Sequence, residues 1–268
     1  MTAMVVTADE LQAAARLAGT ALPPTLAAGD ADRPRVDLAA LRGLAVRGLL
    51  RGLGSGRAEP AGPLAAALDV LAHPVVVVEV EQDTGGTPPT APGRWSLVAG
   101  ATSAVRLTVR PAGLVDVDEV DGDPADAVVA GCRLDEVGDE PPAGAPWEAD
   151  AAAHAEADER ALAGDRAGAA SVLARAGVDA EAAAAWAAAV HGRRSATALR
   201  VARLLPGGAV EIRDVRWLVD GSGGAWLVEA GGGPADERDG GCTSVVRPVD
   251  ASGLRAAVRE VTPCWVDW

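Results

Sequence analysis

Pro74-Val75-Val76-Val77-Val78-Glu79-Val80 marks the point where this chain stops reading as helix. Consecutive β-branched side chains crowd a helix but pack well on a pleated surface, so Val75 to Val80 is a strand. The same signal returns downstream in Trp95 to Ala99, in Val105, Leu107 and Val109 alternating with polar or charged neighbours, and in Leu114 to Val120. Successive strands of this kind read as an antiparallel meander. Between the first two lies Asp83 to Gly93, rich in Gly, Pro and Thr, without a hydrophobic pattern and longer than a hairpin needs. It is expected to be a surface loop of the kind that carries binding.

Upstream of Pro74 the period is helical. Thr7 opens a Thr-x-x-Glu capping box with Glu10, Leu11, Ala15 and Ala18 follow at helical spacing, and Gly19 ends the helix. Asp37 is expected to cap a second helix with Leu38, Leu41, Ala45 and Leu49 on one face. A glycine-rich break at 52–62 leads to a third helix ending near His73. Beyond the meander, a Pro/Gly/acidic stretch at 138–146 precedes an alanine-rich helical block from about Ala149 to His191, in which Ala182, Trp186 and Val190 share a face. Strands are then expected at Ala198 to Leu205, Ala209 to Val219, Ala225 to Ala230 and Thr243 to Pro248. Asp220-Gly221-Ser222-Gly223-Gly224 supplies a hairpin turn, and Asp250 caps a last helix bearing Leu254, Val258 and Val261. Helices followed by strands therefore occur twice. The reading is one α+β unit, residues 1–268, with lobes at 1–137 and 147–268 related by an approximate two-fold repeat. The two meanders can join into one sheet.

Composition narrows the partners. With 38 acidic and 24 basic residues the formal charge is −14, which repels a phosphate backbone, so nucleic acid is not expected. Every basic residue is arginine, which excludes chemistry that needs an ε-amine, from the P-loop lysine to a Schiff base. Phe and Tyr are absent and Ile212 is the only isoleucine, so the core rests on Val, Leu and seven Trp. Cys132, Cys242 and Cys264 are odd in number and widely spaced, which fits a reducing cytosol better than a disulfide framework. No apolar run approaches the roughly 20 residues that span a bilayer, and MTAMVVTADE lacks a signal-peptide pattern, so a cytoplasmic protein without membrane insertion is expected.

Several motifs fail on spacing. Asp116-Val117-Asp118-Glu119-Val120-Asp121-Gly122-Asp123 puts its glycine and ligands at the wrong places for a calcium loop and reads as a solvated strand end. Gly52-Leu53-Gly54-Ser55-Gly56 follows a helix rather than a strand and has no lysine, so it reads as a helix C-terminus rather than a phosphate cradle. His73, His154 and His191 each stand near an expected helix end without metal-ligand spacing, and capping or surface roles are expected for them. No catalytic, metal or cofactor residue is assigned. The competing reading is a hydrolase or transferase that pairs one of these histidines with a distant carboxylate; a histidine beside Ser or Asp in a deep pocket favours it. Trp217 and Trp226 flank the Asp220 turn nearly symmetrically and are expected to be neighbours on one sheet face, as core if buried and as a protein-binding surface if exposed.

The order of these elements resembles the EspG family, chaperones of type VII secretion in mycobacteria and other actinobacteria. The residues that carry the resemblance are Val5 to Leu11 as an opening strand and helix, Leu71-Ala72-His73-Pro74-Val75 leading into the valine strand, and Leu114 to Val120. The helical block and the Asp220 to Gly224 hairpin ahead of the last helix complete it. The resemblance implies a quasi-two-fold fold with a central antiparallel sheet flanked by helical bundles, and no catalysis. It implies binding to the apolar tip of a helical, PPE-like secreted protein, which is kept soluble for export. It also implies that the loop between the second and third family strands takes part in recognition, which maps to Asp83, Thr84, Gly85, Gly86 and Thr87 through to Arg94, with Trp217 and Trp226 completing the surface by location. The acidic balance leads to the expectation of a basic rim around the partner's tip. Oligomeric state is not fixed by the sequence.

Overall fold

The computed structural model describes residues 3–26, 33–55, 57–83, 93–231 and 243–262. The chain opens with β1 (Ala3–Thr7) and α1 (Ala8–Ala18). Thr7 Oγ1 accepts from the Glu10 amide at 3.1 Å, Glu10 returns the bond to the Thr7 amide at 2.8 Å, and Gly19 closes the helix at φ +68°. Next come α2 (Arg33–Val46), the short strands β2 (Leu50–Arg51) and β3 (Glu59–Pro60), and α3 (Pro63–Ala72). Asp37 is not the cap of α2 but lies inside it, where its carboxylate pairs with Arg16 of α1. The glycines at 52 and 54 belong to the small β2–β3 hairpin, one element later than expected.

The first meander is β4 (Val76–Asp83), β5 (Arg94–Ala99), β6 (Ala104–Val109) and β7 (Leu114–Val120), followed by α4 (Pro124–Gly131), which Asp123 caps. The second half repeats this order. An edge strand β8 (Trp147–Asp150) leads into α5 (Ala151–Leu162), α6 (Arg166–Arg175) and α7 (Ala180–His191). Then come β9 (Ser195–Leu204), β10 (Val210–Val219), β11 (Ala225–Gly231) and β12 (Thr243–Val249), and α8 (Ala251–Val261) capped by Asp250. The expected strands are all present, whereas β8 and α4 went unread in the sequence. The Asp-rich stretch resolves into structural pairs: Asp116 with Arg110, Asp118 with Arg106, and Asp123 on the α4 N-terminus.

Ten strands form one antiparallel sheet in the order β1-β7-β6-β5-β4-β9-β10-β11-β12-β8. Read inward from either edge, the two halves match strand for strand, so a quasi-two-fold axis passes through the β4–β9 seam. There Val76 faces Arg203 and Asp83 faces Ala196. Segment 138–146 holds the second half rather than swinging between the two: the Gly138 amide donates to Gly223 O, and Gly138 O accepts from Ala251.

Side chains alternate between the two sheet faces. One face carries Val76, Val78, Val80, Leu199, Val201, Val215 and Leu227 under α4 and α8. These helices meet there, Arg259 of α8 donating to Asp126 of α4 at 2.6 Å. The opposite face carries two separate cores. One packs α1–α3 on Val98, Val105, Leu107, Val115 and Val117, and the other packs α5–α7 on Leu218, Trp226 and Val246. Among the described residues the central strands between the bundles stay open in their middle, with Glu81, Arg200, Ile212 and Arg216 exposed. No helix among the described residues is long and apolar enough to cross a membrane.

Candidate functional site: a trough between the two helical bundles

Among the described residues the open part of the sheet is a trough floored by β4, β9 and β10. Its rungs follow from the register. Asp83, Ala196 and Leu218 form the first, then Glu81, Ala198 and Arg216, then Glu79, Arg200 and Asp214, then Val77, Ala202 and Ile212. The middle of the floor is polar, with Glu81 paired to Arg94 at 2.9 Å and Arg200 bound through two nitrogens to Asp214 at 2.8 and 3.0 Å. That pairing raises the Arg200 guanidinium above its ordinary value, the Asp214 hydrogen bond contributing most. At the far end the β9–β10 hairpin leaves Leu204, Val210 and Ile212 exposed, Ile212 to 59 %. Large apolar side chains grouped in the open are the usual mark of a contact surface.

At the near end the trough runs into a cavity of about 540 Å³ against α5 and α7. Leu162, Trp186, Val190 and Val228 give it apolar walls, and Asp83, Arg94, His154, Asp158, Arg193 and Arg216 supply polar ones. His154 is 6 % exposed, its ring edge-on to Trp147 and Trp186 with centroids 5.4 and 5.2 Å away. Its Nε2 lies 3.6 Å from Asp158 Oδ1, which in turn accepts the Trp186 indole N–H at 2.8 Å. Burial pushes the His154 pKa below 6.5; the Asp158 charge opposes this and Arg216 adds to it. Burial likewise raises the Asp158 pKa against the pull of His154, the Trp186 bond, Arg193 and Arg216. Burial thus works against charge on both groups, and among the described residues His154 Nε2 has no hydrogen-bond partner. The imidazole packs between Trp147 and Trp186 and helps hold the cavity wall together.

All three histidines stand at or near helix ends as expected, but the expected capping or surface role is corrected for His154. His73 does cap α3 and is exposed, but His154 is a core residue four positions before a carboxylate. His191 ends α7, its Nδ1 3.2 Å from Ala161 O. The i, i+4 spacing of His154 and Asp158, flanked by Trp147 and Trp186, was the signal available in the sequence.

The EspG family model matches residues 7–260. The chain belongs to the EspG family. A solved structure of the EspG family shares the fold: the type VII secretion system chaperone EspG5 of Mycobacterium tuberculosis, in complex with a PE25–PPE41 dimer, is 17 % identical. The match covers 97 % of this chain and 95 % of that one at a TM-score of 0.64. No curated protein sequence matches.

On this EspG fold the anticipated binding residues separate into three groups. Asp83 and Arg94 stand at the junction of trough and cavity, Asp83 accepting from Arg193 at 2.5 Å across the β4–β9 seam. The Gln82 amide donates to Gly93 O at 2.8 Å and closes the base of the anticipated loop. Thr84, Gly85, Gly86 and Thr87 lie outside the described residues. Trp217 and Trp226 do not share a sheet face. Trp217 pairs with Leu227 and Trp226 with Leu218, a one-residue offset that sends the two rings to opposite faces. Both are buried, at 3 % and 2 %, Trp217 among the α4–α8 contacts and Trp226 against Trp186 at 5.9 Å. They build the floor and wall rather than the exposed surface. Arg193, Arg216 and Ile212 join the site although sequence reasoning did not single them out for it.

Proposed function

We propose that this EspG protein is a cytoplasmic chaperone that seats the apolar tip of a helical, PPE-like type VII secretion substrate in the trough and keeps it soluble for export. The observation that carries this is the open sheet between the α1–α3 and α5–α7 bundles, with apolar surface at both ends and a floor whose charges are largely paired. Such a floor accepts an apolar tip at small desolvation cost and needs no poised acid, base or metal. Asp83 and Arg94 contribute at the near end, and the neighbouring stretch 84–87 takes part by its place in the chain. Trp217 and Trp226 keep the sheet rigid beneath the contact. Residues 1–137 and 147–268 act as two lobes that supply opposite walls.

The role is binding rather than catalysis. The test is co-expression with a helical type VII substrate that is insoluble alone. The reading expects the substrate to become soluble and to elute with this chain as one species. Replacing Ile212 with Asp should reduce that yield several-fold while leaving the chaperone folded. A substrate panel that stays insoluble and unbound overturns the proposal.

A further inference from the structure

Resting on the docking reading above, we infer that Arg216 selects partners carrying an acidic side chain beside their apolar tip. The whole chain is acidic, which taken alone favours a basic partner, but charges act over about a Debye length of 8–10 Å. Within that range the trough sets five carboxylates, Glu79, Glu81, Asp83, Asp158 and Asp214, against four arginines, and what a partner meets depends on which of them are already paired. Of its four arginines, Arg94 is held by Glu81, Arg193 by Asp83 and Arg200 by Asp214. The carboxylates of those pairs are thereby engaged.

Arg216 is different. It is exposed, and among the described residues it makes no hydrogen bond or ion pair. Its neighbour across β9 is Ala198, whose methyl group cannot reach it, and on the far side it faces Val228. Asp158 senses its charge, but Asp158 Oδ1 is already engaged by the Trp186 indole. Arg216 also lines both the α5–α7 cavity and the polar middle of the trough, so anything seated across the two passes over it. A guanidinium with unused donors beside apolar walls fits a carboxylate in bidentate geometry, and covering it with a purely apolar tip strands a desolvated charge. The discrimination therefore has an attractive and a repulsive part: an acid is welcomed, and a basic tip is rejected.

The test uses displayed antiparallel helical hairpins with five randomised tip residues, selected against the full chain and against Arg216→Met and Arg216→Glu. Because Arg216 is exposed, both variants should keep the wild-type circular dichroism and urea midpoint. The wild type is expected to enrich tips that combine Leu, Ile or Met with one Asp or Glu. Arg216→Met should keep the apolar enrichment and lose the acid, and Arg216→Glu should replace the acid with Arg or Lys. For a single selected hairpin, changing its acid to the amide should weaken binding to the wild type about tenfold and to Arg216→Met less than about twofold. Apolar tips without an acid, or an acid preference that survives Arg216→Met, overturn the assignment of Arg216 while leaving the docking reading intact. If no apolar tip is enriched at all, the docking reading itself fails.

Discussion

Asp158 can be replaced in two ways that separate hydrogen bonding from charge. Asp158→Ala removes the acceptor of the Trp186 indole N–H, a 2.8 Å bond from a ring that is 2 % exposed. Stranding a buried donor costs about 1–3 kcal/mol. The carboxylate side chain is 37 % exposed, so water can partly replace it, which places the expected loss near about 1–1.5 kcal/mol. Asp158→Asn keeps a carbonyl oxygen in the same place and removes only a charge that burial already disfavours, so its loss should stay within about 0.5 kcal/mol. The gap of about 1 kcal/mol corresponds to about 2–4 °C in midpoint temperature for a chain of this size. Urea unfolding at pH 7.5, followed by tryptophan emission and circular dichroism, measures both variants with the slope as a check on compactness. Combining Asp158→Ala with Trp186→Phe should return a coupling of about 1 kcal/mol. Equal losses in the Ala and Asn variants refute the reasoning, because then Asp158 acts through its charge toward His154, Arg193 and Arg216.

Three further outcomes are expected. His154 takes up a proton more readily in the unfolded chain than in the fold, so its contribution is intact above pH 6.5 and is lost as the pH falls below it, through the lowered pKa of the fold. Facing Asp158, Arg193 and Arg216, it should give the wild type a drop in urea midpoint between pH 7.5 and 5.5 that His154→Leu lacks. Asp158, whose pKa is raised, works in the opposite sense, and parallel profiles for the two proteins contradict the assignment. Burial pushes the Cys132 thiol up to about 12, so peptide mapping after a maleimide pulse at pH 8 should find Cys132 unmodified in the native protein and modified in urea. A methyl group at Gly131 would stand 2.7 Å from Trp95 Cζ2 in the core, so Gly131→Ala should cost about 1–2 kcal/mol despite its better helix propensity, as read by thermal melting.

Local signals in the sequence were strong wherever one residue type does one job. The Thr7–Glu10 box, the Asp250 cap and the valine strand could be read directly because capping and β-branching depend on nearest neighbours. Asp37 looked like a cap because an acid ahead of an apolar period is the usual pattern, yet the helix starts a turn earlier and uses that acid for Arg16. The edge strand β8 was hidden because its four residues run straight into alanine-rich α5. The tryptophan pair failed on parity: near-symmetry about a five-residue turn does not reveal a one-residue offset, and one residue is enough to change faces. The trough was the least legible element, since it is defined by what neither bundle covers. Arg216 stands out only once the partners of Arg94, Arg193 and Arg200 are known.

The β4–β9 seam also bears on how the molecule is made. Every other pairing in the large sheet joins strands of the same half, whereas the seam matches residues as distant along the chain as Val76 and Arg203. The hairpin-linked strands inside each meander are near neighbours along the chain and close quickly, so each half can gather its meander before the two meet. Until then β4 and β9 are open edges, and an open edge pairs with whatever strand it encounters. A newly synthesised first half waits with β4 unmatched while the second is still being made, and a neighbouring nascent copy presents the same edge. The trough floor comes into being only when that seam closes, so the proposed partner binding requires a chain that has already found its own second half.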